Sequence, residues 1–204
     1  CTLRLLMVAV VFVCVLPSQA KIEHLLPRPQ HVTQQTGIFL LQRALRLEDV
    51  TQTPLLRKFL LDHGATITEQ AEVKVEVVVD KSLNTFDYPL AGFGNEGYCL
   101  KISPDAITIT VAEPIGVVRA AQTLHQLALG TEGNGQIEAL TLTDFPAFKV
   151  RGVMHDVGRS FVDIEELKRQ IDLLAQFKVN VFHWHLTENQ AWRFEVKAFQ
   201  QLTS

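Results

Sequence analysis

The chain has 204 residues, of which 47% are hydrophobic and 20% charged, with a formal net charge of −3. That composition is globular, and the length suits one or two domains with a sizeable core. No basic block is present, which argues against nucleic acid as the partner, and no acidic tail, internal repeat or low-complexity tract is visible.

Residues 1–20 stand apart. Arg4 precedes an unbroken apolar run from Leu5 to Leu16, followed by Pro17, Ser18, Gln19 and Ala20. The run is shorter than the ~20 residues that span a bilayer, and the small residues Ser18 and Ala20 suit signal-peptidase cleavage. The segment reads as a secretory signal. It implies a secreted or periplasmic product, compatible with outer-membrane association, and no stable membrane span after cleavage. An uncleaved anchor or a buried helix is the competing reading. Cys99 is then alone in the mature chain, so no internal disulfide forms, and its neighbours Tyr98 and Leu100 suggest a packed thiol on a strand. The sequence starts at Cys1 rather than Met, and the expectation is that it is incomplete there.

Residues 21–145 mix strands and helices. Gly37 to Leu41 reads as a short strand. Thr53 can cap a helix that Pro54 opens and Gly64 closes, with Leu55, Leu56, Phe59 and Leu60 inside it. Val73, Val75, Val77 and Val79 alternate with polar residues, the pattern of a strand with one buried face. Tyr98 to Ile102 and Ile107 to Val111 alternate likewise, and Ser103-Pro104-Asp105-Ala106 between them has turn chemistry, so the two form a hairpin. Pro114 opens a second helix through Leu129, with Ile115, Val118, Ala121, Leu124 and Leu127 as its apolar stripe and Gly130 at its end. Thr131 to Gly135 is a polar surface connection. His24, His31, His63 and His125 are scattered without metal-ligand spacing, as surface or capped histidines would be.

Residues 146–204 are more informative. Val150 to His155 reads as a strand, Asp163 and Glu166 as the capping box of a helix with Ile164, Leu167, Ile171, Leu174 and Phe177 on one face, and Val179 to Leu186 as a second strand. Strand, helix, strand in that order makes a βαβ unit with parallel pairing. The polar residues follow the strands: His155, Asp156 and Arg159 after the first, His183, His185, Glu188, Asn189 and Gln190 on and after the second. Carboxyl ends of parallel strands carry the sites of α/β folds. Arg159 suits sugar hydroxyls or a carboxylate, and Glu188 suits an acid, a base or an acceptor. Three readings of the cluster stay open. Arg159 and Glu188 form an ordinary surface pair, or the same-face pair His183 and His185 is half of a metal site in a barrel hydrolase, or the segment touches sugar through Arg159 and Trp192 without chemistry.

Two stretches carry a resemblance. Arg151-Gly152-Val153-Met154-His155-Asp156-Val157-Gly158-Arg159 and Asn180-Val181-Phe182-His183-Trp184-His185-Leu186-Thr187-Glu188-Asn189-Gln190-Ala191-Trp192-Arg193 resemble the first two barrel strands of glycoside hydrolase family 20. Upstream, Leu25-Leu26-Pro27-Arg28-Pro29, Glu96-Gly97-Tyr98 through Ile102, Ile107-Thr108-Ile109, Gly116, Ala120, Gln122-Thr123-Leu124 and Gln126-Leu127 resemble the family's accessory domain. The resemblance implies an α/β fold: a zincin-like α/β sandwich over residues 21–145, then the first βαβ portion of an incomplete (β/α)8 TIM barrel over 146–204. It implies exo-acting removal of terminal β-linked N-acetylglucosamine or N-acetylgalactosamine from glycans, with retention, the substrate's acetamido oxygen serving as nucleophile. No metal or cofactor is implied. Arg159 matches the arginine that binds the terminal sugar, and Glu188 the acidic residue that supports a later active-site histidine. Asp156 joins the polar network, while His183, Trp184 and His185 shape the barrel floor. Asn189 and Ala147 depart from the family's common acidic residue and arginine. The family's catalytic Asp-Glu pair falls on a later strand, and no Asp-Glu dipeptide follows Gly152 here. The expectation is therefore an N-terminal portion that lacks its catalytic acid and is inactive alone.

Overall fold

The computed structural model describes residues 21–85, 95–130 and 135–202, so the signal reading lies outside the described residues. In chain order the strands and helices are β1 (His31–Leu40), β2 (Ala44–Asp49), α1 (Pro54–Asp62), β3 (Thr66–Ile67), β4 (Lys74–Val79), β5 (Tyr98–Ser103), β6 (Ala106–Val111), α2 (Pro114–Leu129), β7 (Gln136–Asp144), β8 (Gly152–Asp156), α3 (Ile164–Gln176) and β9 (Val181–His185). None of the described helices is long and apolar enough to cross a membrane.

The first seven strands form one mixed sheet in the order β1-β7-β5-β6-β4-β2-β3. β5 and β6 are the expected hairpin, with Ser103 opposite Ala106 across the Pro104-Asp105 turn. β6, β4, β2 and β3 run parallel. Strict alternation sends Tyr98, Leu100, Ile102, Ile107, Ile109 and Val111 into one core, where they meet Leu56, Phe59 and Leu60 of α1 and Ala120, Leu124 and Leu127 of α2. Both helices thus cover one face, and the opposite face carries polar side chains such as the Lys74–Glu76 pair at 2.9 Å.

Several expectations shift in detail. β1 is longer than the short strand read from Gly37, and its register against β7 slips between Gln34 and Ile38, where Gly37 has φ +122°. Thr53 precedes α1 but makes no side-chain cap, because its hydroxyl engages Thr51 at 2.7 Å. Val79 is exposed although Val75 and Val77 are buried, so the buried face of β4 ends early. The buried side of α2 is Gly116, Val117, Ala120, Ala121, Leu124, Leu127 and Ala128, with Ile115 exposed. The helix presses flat on the sheet: a Cβ on Gly116 would lie 2.5 Å from the Gly97 carbonyl oxygen. Three strands, β2, β3 and β7, were not anticipated, and β7 sits between β1 and β5 inside the sheet.

β8, α3 and β9 form the expected βαβ unit, with β8 and β9 paired in parallel from Gly152 opposite Val181 to Asp156 opposite His185. Asp163 caps α3 by accepting from the backbone N–H groups of Glu165 and Glu166 at 3.0 and 2.9 Å. Leu167 is buried beneath the helix, whereas Ile164, Ile171, Leu173 and Phe177 remain exposed. The fold is α/β throughout: a sheet with helices on one face, followed by one parallel βαβ unit.

Candidate active site at the carboxyl ends of two parallel strands

The register of β8 and β9 decides which side chains meet. Paired positions in a parallel sheet share a face, so Asp156 joins His185 and Met154 joins His183, while His155 and Trp184 point to the other side. His155 therefore leaves the cluster to which its sequence position assigned it. Trp184 faces away from His183 and His185; with Trp192, Phe161 and Leu167 it lines a recess of about 810 Å³ between sheet and α3.

Beyond the strand ends the chain is tightly tied. The Val157 N–H donates to the His185 carbonyl at 3.1 Å, extending the pairing past Asp156. The segment after β9 folds back on itself: Thr187 bridges Trp192, the Glu188 N–H donates to the Ala191 carbonyl at 3.0 Å, and the Arg193 N–H donates to Leu186 at 2.9 Å. Arg193 Nε then donates to the Val157 carbonyl at 3.1 Å, joining this turn to the one after β8. Its guanidinium also lies 5.5 Å from the centroid of the Phe161 ring.

These ties bring Asp156, Arg159, His185 and Glu188 together. Asp156 accepts from the Arg159 backbone N–H at 3.1 Å through Oδ1 and pairs with its Nε at 3.0 Å through Oδ2. Glu188 Oε2 stands 4.0 Å from Arg159 Nη2 and 3.5 Å from His185 Nε2. The His185 contact lacks hydrogen-bond alignment, and Nε2 is buried without a hydrogen-bond partner among the described residues. Glu188 is held below the usual carboxylate range, chiefly by the Asn189 N–H at 2.9 Å, against an opposing effect of desolvation and with further help from His185 and Arg159. It is an acceptor at neutral pH rather than a proton donor. Asn189 thus contributes its backbone, and the lost carboxylate at that position is not needed for the contact.

The Arg159 side chain is 69% exposed, so only one edge of the guanidinium is engaged and the remaining N–H groups face solvent beside two carboxylates. Potential ligand atoms of Asp156, His185 and Glu188 lie within 4.8 Å of one another, and among the described residues no other such trio occurs. His183 is outside it, its ring centroid 5.7 Å from that of His185. The His183–His185 pair expected of a metal hydrolase is therefore not the grouping that the fold assembles. Gly158 is a site residue to which sequence reasoning assigned no role: a Cβ there would lie 2.8 Å from Glu188 Cβ and 3.1 Å from Asp156 Oδ1. The signal was its position between Asp156 and Arg159, where two loops must cross closely.

Residues 23–145 match the family profile described as "Glycosyl hydrolase family 20, domain 2", and residues 148–204 match "Glycosyl hydrolase family 20, catalytic domain". The chain belongs to glycoside hydrolase family 20. It is 31% identical over 182 residues to a β-hexosaminidase of Vibrio furnissii, covering 88% of this chain and 29% of that protein. It is 42% identical over 116 residues to a β-hexosaminidase of Porphyromonas gingivalis, covering 53% of this chain and 15% of the relative. Among solved structures it superposes on the family 20 exo-β-N-acetylglucosaminidase of Vibrio harveyi, in complex with N-acetylglucosamine, with a TM-score of 0.71 at 28% identity, over 89% of this chain and 28% of the other. The chain thus spans less than a third of the length of the Vibrio relatives.

Proposed function

We propose that this chain supplies the terminal-sugar grip of an exo-acting β-N-acetylhexosaminidase. The observation that carries the reading is the half-free guanidinium of Arg159, anchored by Asp156 and flanked by Glu188 at the carboxyl ends of adjacent parallel strands. A planar fork of donors beside carboxylate acceptors suits vicinal hydroxyls of a pyranose, which both donate and accept. In this reading Arg159 donates to the sugar, Asp156 fixes the plane of the guanidinium, and Glu188 accepts from a histidine of a later loop. Family 20 membership supports retention through the substrate's acetamido oxygen, with a glutamic acid protonating the leaving oxygen and the preceding aspartate orienting the acetamido group. Those two acids are not among residues 152–204, so this chain binds and orients rather than protonates. Glycans ending in N-acetylglucosamine or N-acetylgalactosamine are the proposed partners, met outside the cytoplasm after removal of residues 1–20.

The test is to express the reading frame carrying this sequence, with whatever it encodes beyond Ser204, and to supply an aryl N-acetyl-β-glucosaminide. Hydrolysis with retention is expected, and Arg159→Ala is expected to lower kcat/KM roughly 10- to 100-fold, the loss of one or two charge-assisted hydrogen bonds. Hydrolysis that requires stoichiometric zinc, or that ignores Arg159, would overturn the proposal.

A further inference from the structure

The β8–α3–β9 unit is attached to the seven-stranded unit at the end opposite the candidate site. Arg151 immediately precedes β8, and Lys178 and Asn180 lie between α3 and β9. All three reach into the first unit. Lys178 Nζ donates to Asp144 Oδ2 of β7 at 2.7 Å and to the Tyr98 hydroxyl of β5 at 2.9 Å. That hydroxyl is itself 2.6 Å from Thr123 Oγ1 of α2. Glu96, just before β5, pairs with Arg119 of α2 and with Arg151, and accepts from Asn180 Nδ2 at 3.3 Å. Arg151 Nε returns to the Lys178 carbonyl at 2.9 Å, and the Arg151 N–H donates to Asn180 Oδ1 at 2.9 Å, so the two strand starts are also fastened to each other.

Lys178 occupies an unfavourable backbone position to do this. It follows the C-cap residue Phe177 of α3 in a Schellman turn, with its own N–H bonded to Ala175 at 2.9 Å and the Val179 N–H to Leu174 at 3.2 Å. Its φ is +60°, where glycine is the preferred residue and a lysine side chain is strained. The side chain is only 8% exposed, and that of its partner Asp144 only 9%. Burial lowers the proton affinity of the ammonium and Asp144 restores part of it. A strained backbone and a desolvated charge at one residue require a compensating role, and the contacts across the two units are that role.

We propose that Lys178 is a positioning residue that docks the starts of β8 and β9 on the β5–β7 sheet and so fixes the alignment of Asp156 and Arg159 with Glu188 at the far ends of the same strands. Each strand has five residues, about 16 Å of stiff, paired chain between latch and site. The docking stands on the contacts alone; only its value to sugar binding rests on the proposed function.

Both tryptophans, Trp184 and Trp192, lie in the β9 region, so their emission reports on the docked unit. The experiment compares Lys178→Met, Lys178→Gly and Lys178→Arg in the full chain by amide exchange and tryptophan emission. Lys178→Met is expected to speed exchange of the β8 and β9 amides roughly tenfold or more while those of β5 and β6 stay within about twofold. Lys178→Gly is expected to do the same although it relieves the backbone strain, and Lys178→Arg to recover most of the protection. Slower exchange in Lys178→Gly than in the parent would show that strain, not docking, is what this residue contributes, and would overturn the proposal. Equal loosening of β5, β6, β8 and β9 in Lys178→Met would also overturn it. Absent glycosidase activity with this exchange pattern intact would defeat the functional reading alone, and activity with unchanged exchange in Lys178→Met would defeat the latch alone.

Discussion

Gly158→Ala tests whether the site depends on one close crossing. The added Cβ would sit 2.8 Å from Glu188 Cβ, against a normal carbon–carbon separation of about 3.5–4.0 Å. Glu188 Cβ cannot rotate out of the way, because its own backbone is tied to Ala191 and the turn closes at Leu186. The turn or β8 must therefore move by roughly 1 Å, an overpacking cost of about 1–3 kcal/mol. Alanine also narrows the unfolded ensemble, which favours the folded chain by about 0.4–1 kcal/mol. The net expectation is destabilisation of about 1–2 kcal/mol, confined to the docked unit. Urea denaturation followed by tryptophan emission measures it; with a slope of about 1–3 kcal/mol per molar, the midpoint falls by roughly 0.3–2 M. Glu188→Gly removes the opposing Cβ and should restore most of the midpoint in the double variant. A Gly158→Ala midpoint equal to or above the parent's would refute the argument. In an active enzyme the same displacement should cost on the order of 100-fold in rate, because reacting groups tolerate about 1 Å of misplacement poorly.

Gly116→Ala sets helix propensity against packing: alanine favours the helix by about 1 kcal/mol, but a backbone oxygen at 2.5 Å cannot yield, so the urea midpoint followed by circular dichroism is expected to fall. Glu96 is a case for pH. Burial raises its proton affinity, yet Arg151 and Arg119 hold it below the usual carboxylate range. A depressed carboxylate stabilises above its unfolded value and loses that contribution as pH falls through the folded one, so docking should weaken below about pH 4, with Glu96→Gln abolishing the dependence in amide exchange. His63 and His125, whose rings lie 5.4 Å apart, both have lowered proton affinity through burial, joined at His63 by repulsion from His125. Their contribution is complete above about pH 6.5 and is lost as pH falls, and a His63→Gln, His125→Gln double variant should flatten thermal stability across that window. The 204-residue chain by itself should release no aryl group from an aryl N-acetyl-β-glucosaminide, since no Asp-Glu pair follows Gly152 in it and Glu188 is held below the usual carboxylate range; measurable turnover would refute this.

Periodicity was the reliable guide wherever one face of an element meets one core. The β5–β6 hairpin, α1, α2, α3 and the β8–β9 pairing follow from alternation, helical spacing and turn or cap residues, because burial of one face selects those patterns locally. β2 carried the same signal in Leu45 and Leu47, which alternate with Arg46 and Glu48, yet it follows a segment without turn residues. β7 concealed itself differently: Ala139 and Leu140 are both buried, and Asp144 is buried as well, so the alternation changes phase at Ala139–Leu140, opposite the register shift of β1.

For the site, the sequence by itself determined which residues stand at the strand ends, and named Arg159, Asp156, Glu188, His183 and His185 in advance. Only the tertiary structure decided which of them converge. Parallel register put Asp156 beside His185 and sent His155 away, a distinction that strand numbering cannot make before the partner strand is aligned. The union of His63 with His125, and of Glu96 and Asp144 with Arg151 and Lys178, joins residues far apart in the chain. Such long-range pairs leave no local pattern, because a charge desolvated by another element has the same sequence neighbours as one that faces water.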